Sequence, residues 1–305
     1  MKYVFFDAPA GISGDMILAA LLDLGVDRSL FVRKMGGLRL PVEIDIRETR
    51  KGPLRALKAD VHIRRKKPVE RNWADIEKII RKSSFPETVR RNALAIFKNL
   101  FEAEARVHGR PFHQAHLHEA GADDALIDIV GTCFLAEILD IGAFYCSPLN
   151  VGAGSVRTSH GILPVPAPAV AELLKNAPVF SAWVKEELVT PTGAAIISTL
   201  TRQFLTFPEA SYEKIGCGAG SKDFEGLPNI LRAFYGDAGK SPGDGRVYAI
   251  EATIDDSTPQ ILANYIDAAL GLGALDAFLT PVVMKKNRLA TQVTVLAEDG
   301  KRDLL

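Results

Sequence analysis

Apolar and polar positions along the 305-residue chain follow two periods, and the places where one gives way to the other divide it into elements. Residues 3–6 form a short β-favouring apolar run ending on Asp7, and glycine-rich residues 11–14 separate it from a helix predicted over about 16–24. Period-two alternation over 40–64, in Val42-Glu-Ile-Asp-Ile46 and Ala59-Asp-Val-His-Ile63, brackets Lys51-Gly52-Pro53. It predicts two antiparallel strands and a turn, with His62 facing solvent. Helical spacing then puts Ile76, Ile79 and Ile80 on one side of 73–82, and Leu94, Phe97 and Phe101 on one side of 86–107.

A further apolar helix opens with Asp123 and Asp124 and carries Leu126, Ile129, Val130, Cys133 and Phe134 on one side. Glycine is expected to cap it at Ile141-Gly142-Ala143, as at Leu24-Gly25-Val26 and Leu272-Gly273-Ala274. Pro164, Pro166 and Pro168 fix an extended wall ahead of a helix at 169–175. Glu187 to Gly193 reads as a strand end and helix start capped by Thr190 or Thr192, and 216–223 as a flexible glycine loop exposing Cys217. Residues 237–246 read as a linker, followed by strand, helix, strand and strand at 247–253, 258–272, 277–284 and 292–297. The fold class predicted is therefore α+β: a mixed α/β domain over 1–238, a linker over 239–246, and an incomplete ferredoxin-like β-α-β-β domain over 247–305. The last lacks a second helix and fourth strand, so the chain is expected to stop inside a domain.

Composition narrows the partners. Lys plus Arg and Asp plus Glu each number 37, and zero net charge argues against a nucleic acid or an anionic membrane. The Arg64-Arg-Lys-Lys67 run reads as a solvated loop. The apolar start is too short for a signal peptide, and no run of about 18 apolar residues follows. Cys133, Cys146 and Cys217 have no C-x-x-C spacing, so a cytoplasmic protein is expected.

The densest chemistry lies in His113-Gln-Ala-His116-Leu-His118-Glu119, followed by Asp123, Asp124 and Asp128. On an extended segment His116 and His118 share a side, and on a helix Asp124 and Asp128 share a face. Imidazole with carboxylate suits nickel, zinc or manganese, whereas surface histidines before a helix with an acidic first turn fit the same residues. Gly11, Ser13 and Gly14 with Asp15, and Thr190, Thr192 and Gly193, form helix starts that either cradle an anion or simply cap. Asp7 and Asp15 could converge on a divalent ion. Gly152 and Gly154 suggest close backbone approach, ahead of Arg157, Ser159 and His160, where His160 is an acid-base candidate or a turn stabiliser.

Seven stretches in one order resemble the LarC family of nickel-pincer cofactor nickel-insertion proteins. They are Asp7 with 11–16, His116-Leu-His-Glu119 with Gly121 and Asp124, 152–168, Glu187 to Gly193, Ile254-Asp-Asp256, Gly273-Ala-Leu-Asp276 and Met284-Lys-Lys286. Asn287-Arg288-Leu289-Ala290 stands where the family has Gly-Arg-Pro-Gly. The resemblance implies insertion of Ni2+ into pyridinium-3,5-bisthiocarboxylic acid mononucleotide, using CTP with Mn2+ or Mg2+, to make the cofactor of lactate-racemase-type enzymes. It also implies that 247–305 is part of the nucleotide-binding domain and that a separate or missing C-terminal segment completes it. On this basis His116, His118, Glu119 and Asp124 are expected to hold the metal, with Asp7 and Asp15 beside them. Gly11, Ser13, Gly14, Gly152, Gly154, Thr190, Thr192 and Gly193 would hold the mononucleotide. Lys285, Lys286 and Arg288 would neutralise triphosphate charge, and His160, with Glu119, would be catalytic. A homo-oligomer is expected; a nickel carrier and a metal-dependent phosphohydrolase are the rival functions.

Overall fold

A computed structural model of the chain describes residues 1–64, 70–117, 123–158, 161–208, 210–237, 247–298, 301 and 304–305. His118, Glu119 and His160 lie outside the described residues, as does most of the segment read as a linker. The chain divides into two compact units, Met1–Ser241 and Pro242–Leu305. The first runs through β1 (Lys2–Asp7), α1 (Gly14–Leu22), α2 (Arg28–Met35), β2 (Val42–Lys51), β3 (Leu54–Ile63), β4 (Arg71–Asn72), α3 (Trp73–Lys82), α4 (Glu87–Val107), β5 (His116–Leu117) and α5 (Asp123–Ile138). It continues with β6 (Ile141–Cys146), β7 (Leu149–Asn150), β8 (Ser155–Thr158), β9 (Gly161–Pro164), α6 (Pro168–Leu173), β10 (Val179–Phe180), α7 (Pro191–Leu200), β11 (Thr201–Phe204), β12 (Tyr212–Ala219) and β13 (Ile230–Asp237).

Seven strands form a mixed sheet in the order β11-β6-β1-β13-β12-β3-β2. At its centre β1 runs parallel to β6 and antiparallel to β13. Its apolar run is buried on both faces, which is why it does not alternate. Val4 and Phe6 enter the main core, to which α1 to α7 all contribute, while Tyr3 and Phe5 join Ala143 and Phe234 in a separate aromatic cluster. The hairpin over 42–63 turns at 52–53, and the helix over 73–82 starts as a capping box in which Asn72 accepts from the Asp75 amide at 3.0 Å.

Two sequence expectations fail. The helix α5 ends at Ile138, and Gly142 lies inside β6; the left-handed residue of that joint is Asp140, with φ of 52°. Short polar Asp tolerates this region, so no glycine was needed. Gly25 and Gly273 do take positive φ after their helices. The glycines at 216 and 218 belong to strand β12, not a loop, and Cys217 between them is half-buried, its amide donating to Asp23 at 2.9 Å. A Cβ at either glycine would strike the backbone of α1, so their lack of a side chain lets α1 lie directly on the sheet.

The second unit contains β14 (Val247–Ile254), α8 (Pro259–Gly271), β15 (Asp276–Met284) and β16 (Arg288–Glu298), in the β-α-β-β order expected, with sheet order β14-β16-β15. Leu262, Ala269, Ala277, Val293 and Val295 form its core. Lys285, Lys286 and Arg288 sit at the β15–β16 turn, where Lys286 has φ of 62° and Arg288 lies 3.4 Å from Asp255.

Because the Gly218 position faces the Met16 carbonyl, Gly218→Ala should destabilise the protein by about 1–3 kcal/mol, the usual cost of overpacking. Gly36→Ala, with open space around it, should change the urea midpoint little. Equal midpoints for the two variants would refute the close α1–β12 contact.

Candidate functional site

The first unit's best-formed polar cleft is assembled by backbone crossing backbone. Beyond β1 the chain turns with the Gly11 amide donating to Ala8 O at 3.1 Å, then pairs with the segment before α7. The Ile12 amide donates to Leu188 O at 2.9 Å, and the Thr190 amide donates back to Ile12 O at 3.1 Å. On the other side of that segment, Ala153 N donates to Glu186 O at 3.3 Å. The fully buried Asn150 amide joins these layers: Nδ2 donates to Pro9 O (2.9 Å) and Ala182 O (3.1 Å), and Oδ1 accepts from Gly152 N (3.2 Å) and Ala182 N (3.1 Å). All four side-chain valences are used, so the polar group is buried without an orphan.

This crossing aims the starts of α1, α5 and α7 at a cavity of about 390 Å3. Its walls include Ser13, Gly14 and Asp15 from α1, Asp124, Ala125 and Asp128 from α5, and Thr190, Pro191 and Thr192 from α7. Asp60 on β3, Glu187 and Ser221 complete the polar lining. Thr190 caps α7 through Gly193 N at 3.2 Å. Ser13 makes no such cap; its hydroxyl donates to Asp15. Buried Lys58 donates to Asp15 and to Ser221 Oγ at 2.9 Å, and lies 3.3 Å from Asp60.

The carboxylates differ in environment. Burial, with Asp15 among the neighbouring charges, raises Asp124 above the ordinary carboxylate range. Burial also raises Asp128 well above it, and Asp15 and Asp124 add to that while Lys58 opposes it. Asp128 is 8% exposed, and its Oδ1 has no hydrogen-bond partner among the described residues. Burial pushes Asp60 upward too, but Lys58 and Arg47 outweigh it and hold Asp60 below its usual value.

The structure brings together Ser13, Gly14, Asp15, Asp124, Thr190 and Thr192, all expected from sequence. It does not bring in Asp7 or His116. Asp7 is taken by Arg232, whose Nε donates at 2.9 Å from the adjoining strand β13. His116 is exposed on the two-residue strand β5, opposite Asn72. The expected roles of Gly11, Gly152 and Gly193 change as well. Added Cβ atoms would strike Leu188 O, Glu186 O and Ile12 O, so these glycines admit the chain itself where a ligand was expected. Gly154 faces Lys185 O at 3.2 Å, and Gly14 leaves room for Asp128. Asp123, grouped with Asp124 in the sequence, instead forms a buried ion pair with Arg71.

Sequence reasoning missed Lys58, Asp60 and Asn150. Lys58, Asp60 and His62 at every second position of β3 were the signal for a polar strand face, and an asparagine between Leu149 and Val151 was the signal for a buried amide. Among the described residues, the one three-ligand group whose atoms lie within 4.8 Å of one another is Asp45, Asp60 and His62. There Arg47 already bridges Asp45 and Asp60, at 2.6 Å from the latter.

The fold and site define an α+β protein with an acidic cleft, lined by carboxylates and hydroxyls, where three helices begin. The particular family is that of the nickel insertion proteins, to which this chain belongs: the family matches residues 4–305. A relative from Geobacter metallireducens is 43% identical over 308 residues, spanning 100% of this chain and 79% of that protein. The pyridinium-3,5-bisthiocarboxylic acid mononucleotide nickel insertion protein of Staphylococcus epidermidis is 41% identical over 298 residues, spanning 97% of this chain and 75% of its own. The solved apo structure of LarC2, the C-terminal domain of a cyclometallase in the synthesis of the NPN cofactor of lactate racemase, is 45% identical over 19% of this chain and 40% of that one. Its TM-score of 0.19 lends nothing to the fold. Among the described residues no helix is long and apolar enough to cross a membrane.

Two outcomes follow. Asn150→Ala would take a hydrogen-bond partner from Pro9 O, Gly152 N, Ala182 N and Ala182 O, the last of which keeps Val184 N, and should cost about 2 kcal/mol or more by urea denaturation; a loss under about 0.5 kcal/mol would refute its bridging role. Asp128 has a raised pKa in the fold, so its native form binds the extra proton, and stability is lost as pH rises from the ordinary carboxylate value through the raised one. In chelator-treated protein, Asp128→Asn should raise the melting midpoint at pH 8 and less at pH 5. A pH-independent difference would contradict the burial of this charge.

Proposed function

We propose that this protein inserts nickel into pyridinium-3,5-bisthiocarboxylic acid mononucleotide, with the acidic cleft as the place where ion and ring meet. One observation carries the reading: Asp15, Asp124 and Asp128 line one cavity beside the starts of α1, α5 and α7. Carboxylates favour both Ni2+ and a cationic pyridinium, and a volume of about 390 Å3 is in the range of small-molecule sites. Such excess negative charge repels a bare phosphate. The phosphate therefore belongs at the rim, beside Thr192 at the start of α7.

In this mechanism the carboxylates would present nickel to the ring carbon between the two thiocarboxylates, whose sulfurs become its ligands, and a base takes the proton that this carbon loses as the nickel–carbon bond replaces its C–H bond. His160 is assigned as that base, with Glu119, four residues before Asp123 in the sequence, as the second catalytic group. CTP with Mn2+ or Mg2+ is assigned to the second unit on the family resemblance, with Lys285, Lys286 and Arg288 meeting the triphosphate. Three unpaired cysteines fit a reducing cytoplasm.

Incubating the purified chain with NiCl2, MnCl2, CTP and the mononucleotide should yield a nickel-bearing product by mass spectrometry together with CMP. Asp124→Asn should slow formation about tenfold or more, as loss of a metal-orienting group does elsewhere. Bound nickel with neither product nor CMP would indicate a carrier, and hydrolysis of simple phosphoesters without nickel would indicate a phosphohydrolase.

A further inference from the structure

We infer that Asp128 is a ligand of a divalent cation held on oxygen atoms at the back of the cleft, shared with Asp15 and Asp124 and independent of His116. Asp128 lies one helical turn beyond Asp124 on α5, so both carboxylates face the cavity. Gly14 has no Cβ, and Oδ2 of Asp128 occupies that space in the first turn of α1, where the helix dipole favours an anion. The other oxygen, Oδ1, is buried and has no hydrogen-bond partner among the described residues. Such a carboxyl oxygen is costly to bury unless something cationic completes it.

Lys58 is not that group. Its ammonium is committed to Asp15, Asp60 and Ser221, and no hydrogen bond joins it to Asp128. The donors that line the cavity are carboxylates with the hydroxyls of Ser13, Thr190, Thr192 and Ser221, an all-oxygen set that selects a hard cation. Asp15, Asp124 and Asp128 do not form a group with ligand atoms all within 4.8 Å of one another. This spacing suits an ion that keeps several waters and takes one or two carboxylates directly. A loosely dressed ion of that kind is also one that can be released to a sulfur-bearing acceptor. The inference rests on the reading of the cleft given above in one respect only, the identification of the ion as cargo.

The test is equilibrium dialysis of the full chain against Ni2+, Mn2+ and Mg2+ separately, with metal counted by mass spectrometry and folding checked by thermal midpoint. The wild type should bind, and Asp128→Asn and Asp124→Asn should each weaken binding at least tenfold with their melting transitions intact. His116→Ala should retain the wild-type affinity. Wild-type affinity in Asp128→Asn, or loss confined to His116→Ala, overturns the inference, as does a wild type that binds none of the ions. Preference for Ni2+ marks cargo and preference for Mn2+ or Mg2+ marks a resident ion; either supports the site. Product formation is read separately, so a chain that binds the ion through Asp128 but makes no nickel product refutes the function and leaves the site standing.

Discussion

The cleft depends on a crossing of three backbone segments too close for side chains. Residues 11–12, 151–153 and 186–190 lie in hydrogen-bonding register, and Asn150 ties their flanks together. The approach is possible because Gly11, Gly152 and Gly193 present no Cβ to the neighbouring carbonyls. Without it, the starts of α1 and α7 would have no reason to face the same space, since they are separated by about three quarters of the first unit's sequence. Helix polarity then does the rest. Three aligned N-termini create a positive field into which carboxylates can be drawn, and the core behind them, from Val4 and Phe6 to Leu126 and Ile129, keeps water from relaxing their charge.

That field is met with more negative charge than it balances. Lys58 neutralises Asp15 and Asp60, and Arg47 reaches Asp60 from the strand beside it. Half-buried Asp124 and buried Asp128 are raised toward protonation, the state in which a site releases protons on taking a cation. Proton-for-metal exchange lets such a site accept and return an ion with small change in net charge. The Asp45–Arg47–Asp60 cluster, whose acids are already bridged by the arginine, has no comparable freedom.

Most of the architecture was legible because local pattern and tertiary burial agree in it. The hairpin over 42–63, the helices at 73–82 and 87–107, and the β-α-β-β order after 247 all follow from periodicity that burial then uses. Where sequence and fold part, a distant contact decides. The glycines at 216 and 218 look like a loop until α1 is laid across them, and Gly142 looks like a helix cap until β6 claims it. The site was half legible for the same reason. Asp15, Asp124, Thr190 and Thr192 announce themselves by sitting at helix starts. Gly11, Gly152 and Gly193 announce close approach but not to what, and only the fold reveals that the chain approaches itself. Asp7 looked available because Arg232, its partner, is 225 residues away.

The division of labour among the acids that open α5 shows how one helix start serves both structure and chemistry. Asp123 is 2% exposed and pairs with Arg71, itself 4% exposed, so this pair fixes the helix start against β4. Removing either partner of such a pair strands a buried charge, a loss of about 3–5 kcal/mol in comparable cases. Asp124, one residue on, points 100° around the helix into the cleft, and Asp128 follows it one turn later. Had the register of α5 slipped by a single residue, either Asp123 would take the place of Asp124 and leave Arg71 without its acid, or Ala125 would face the cleft, and the position of Asp128 opposite Gly14 would be lost. The Arg71–Asp123 pair is therefore a register lock: its own charges are spent on geometry, and that geometry is what leaves the next two carboxylates facing one cavity with charge to offer.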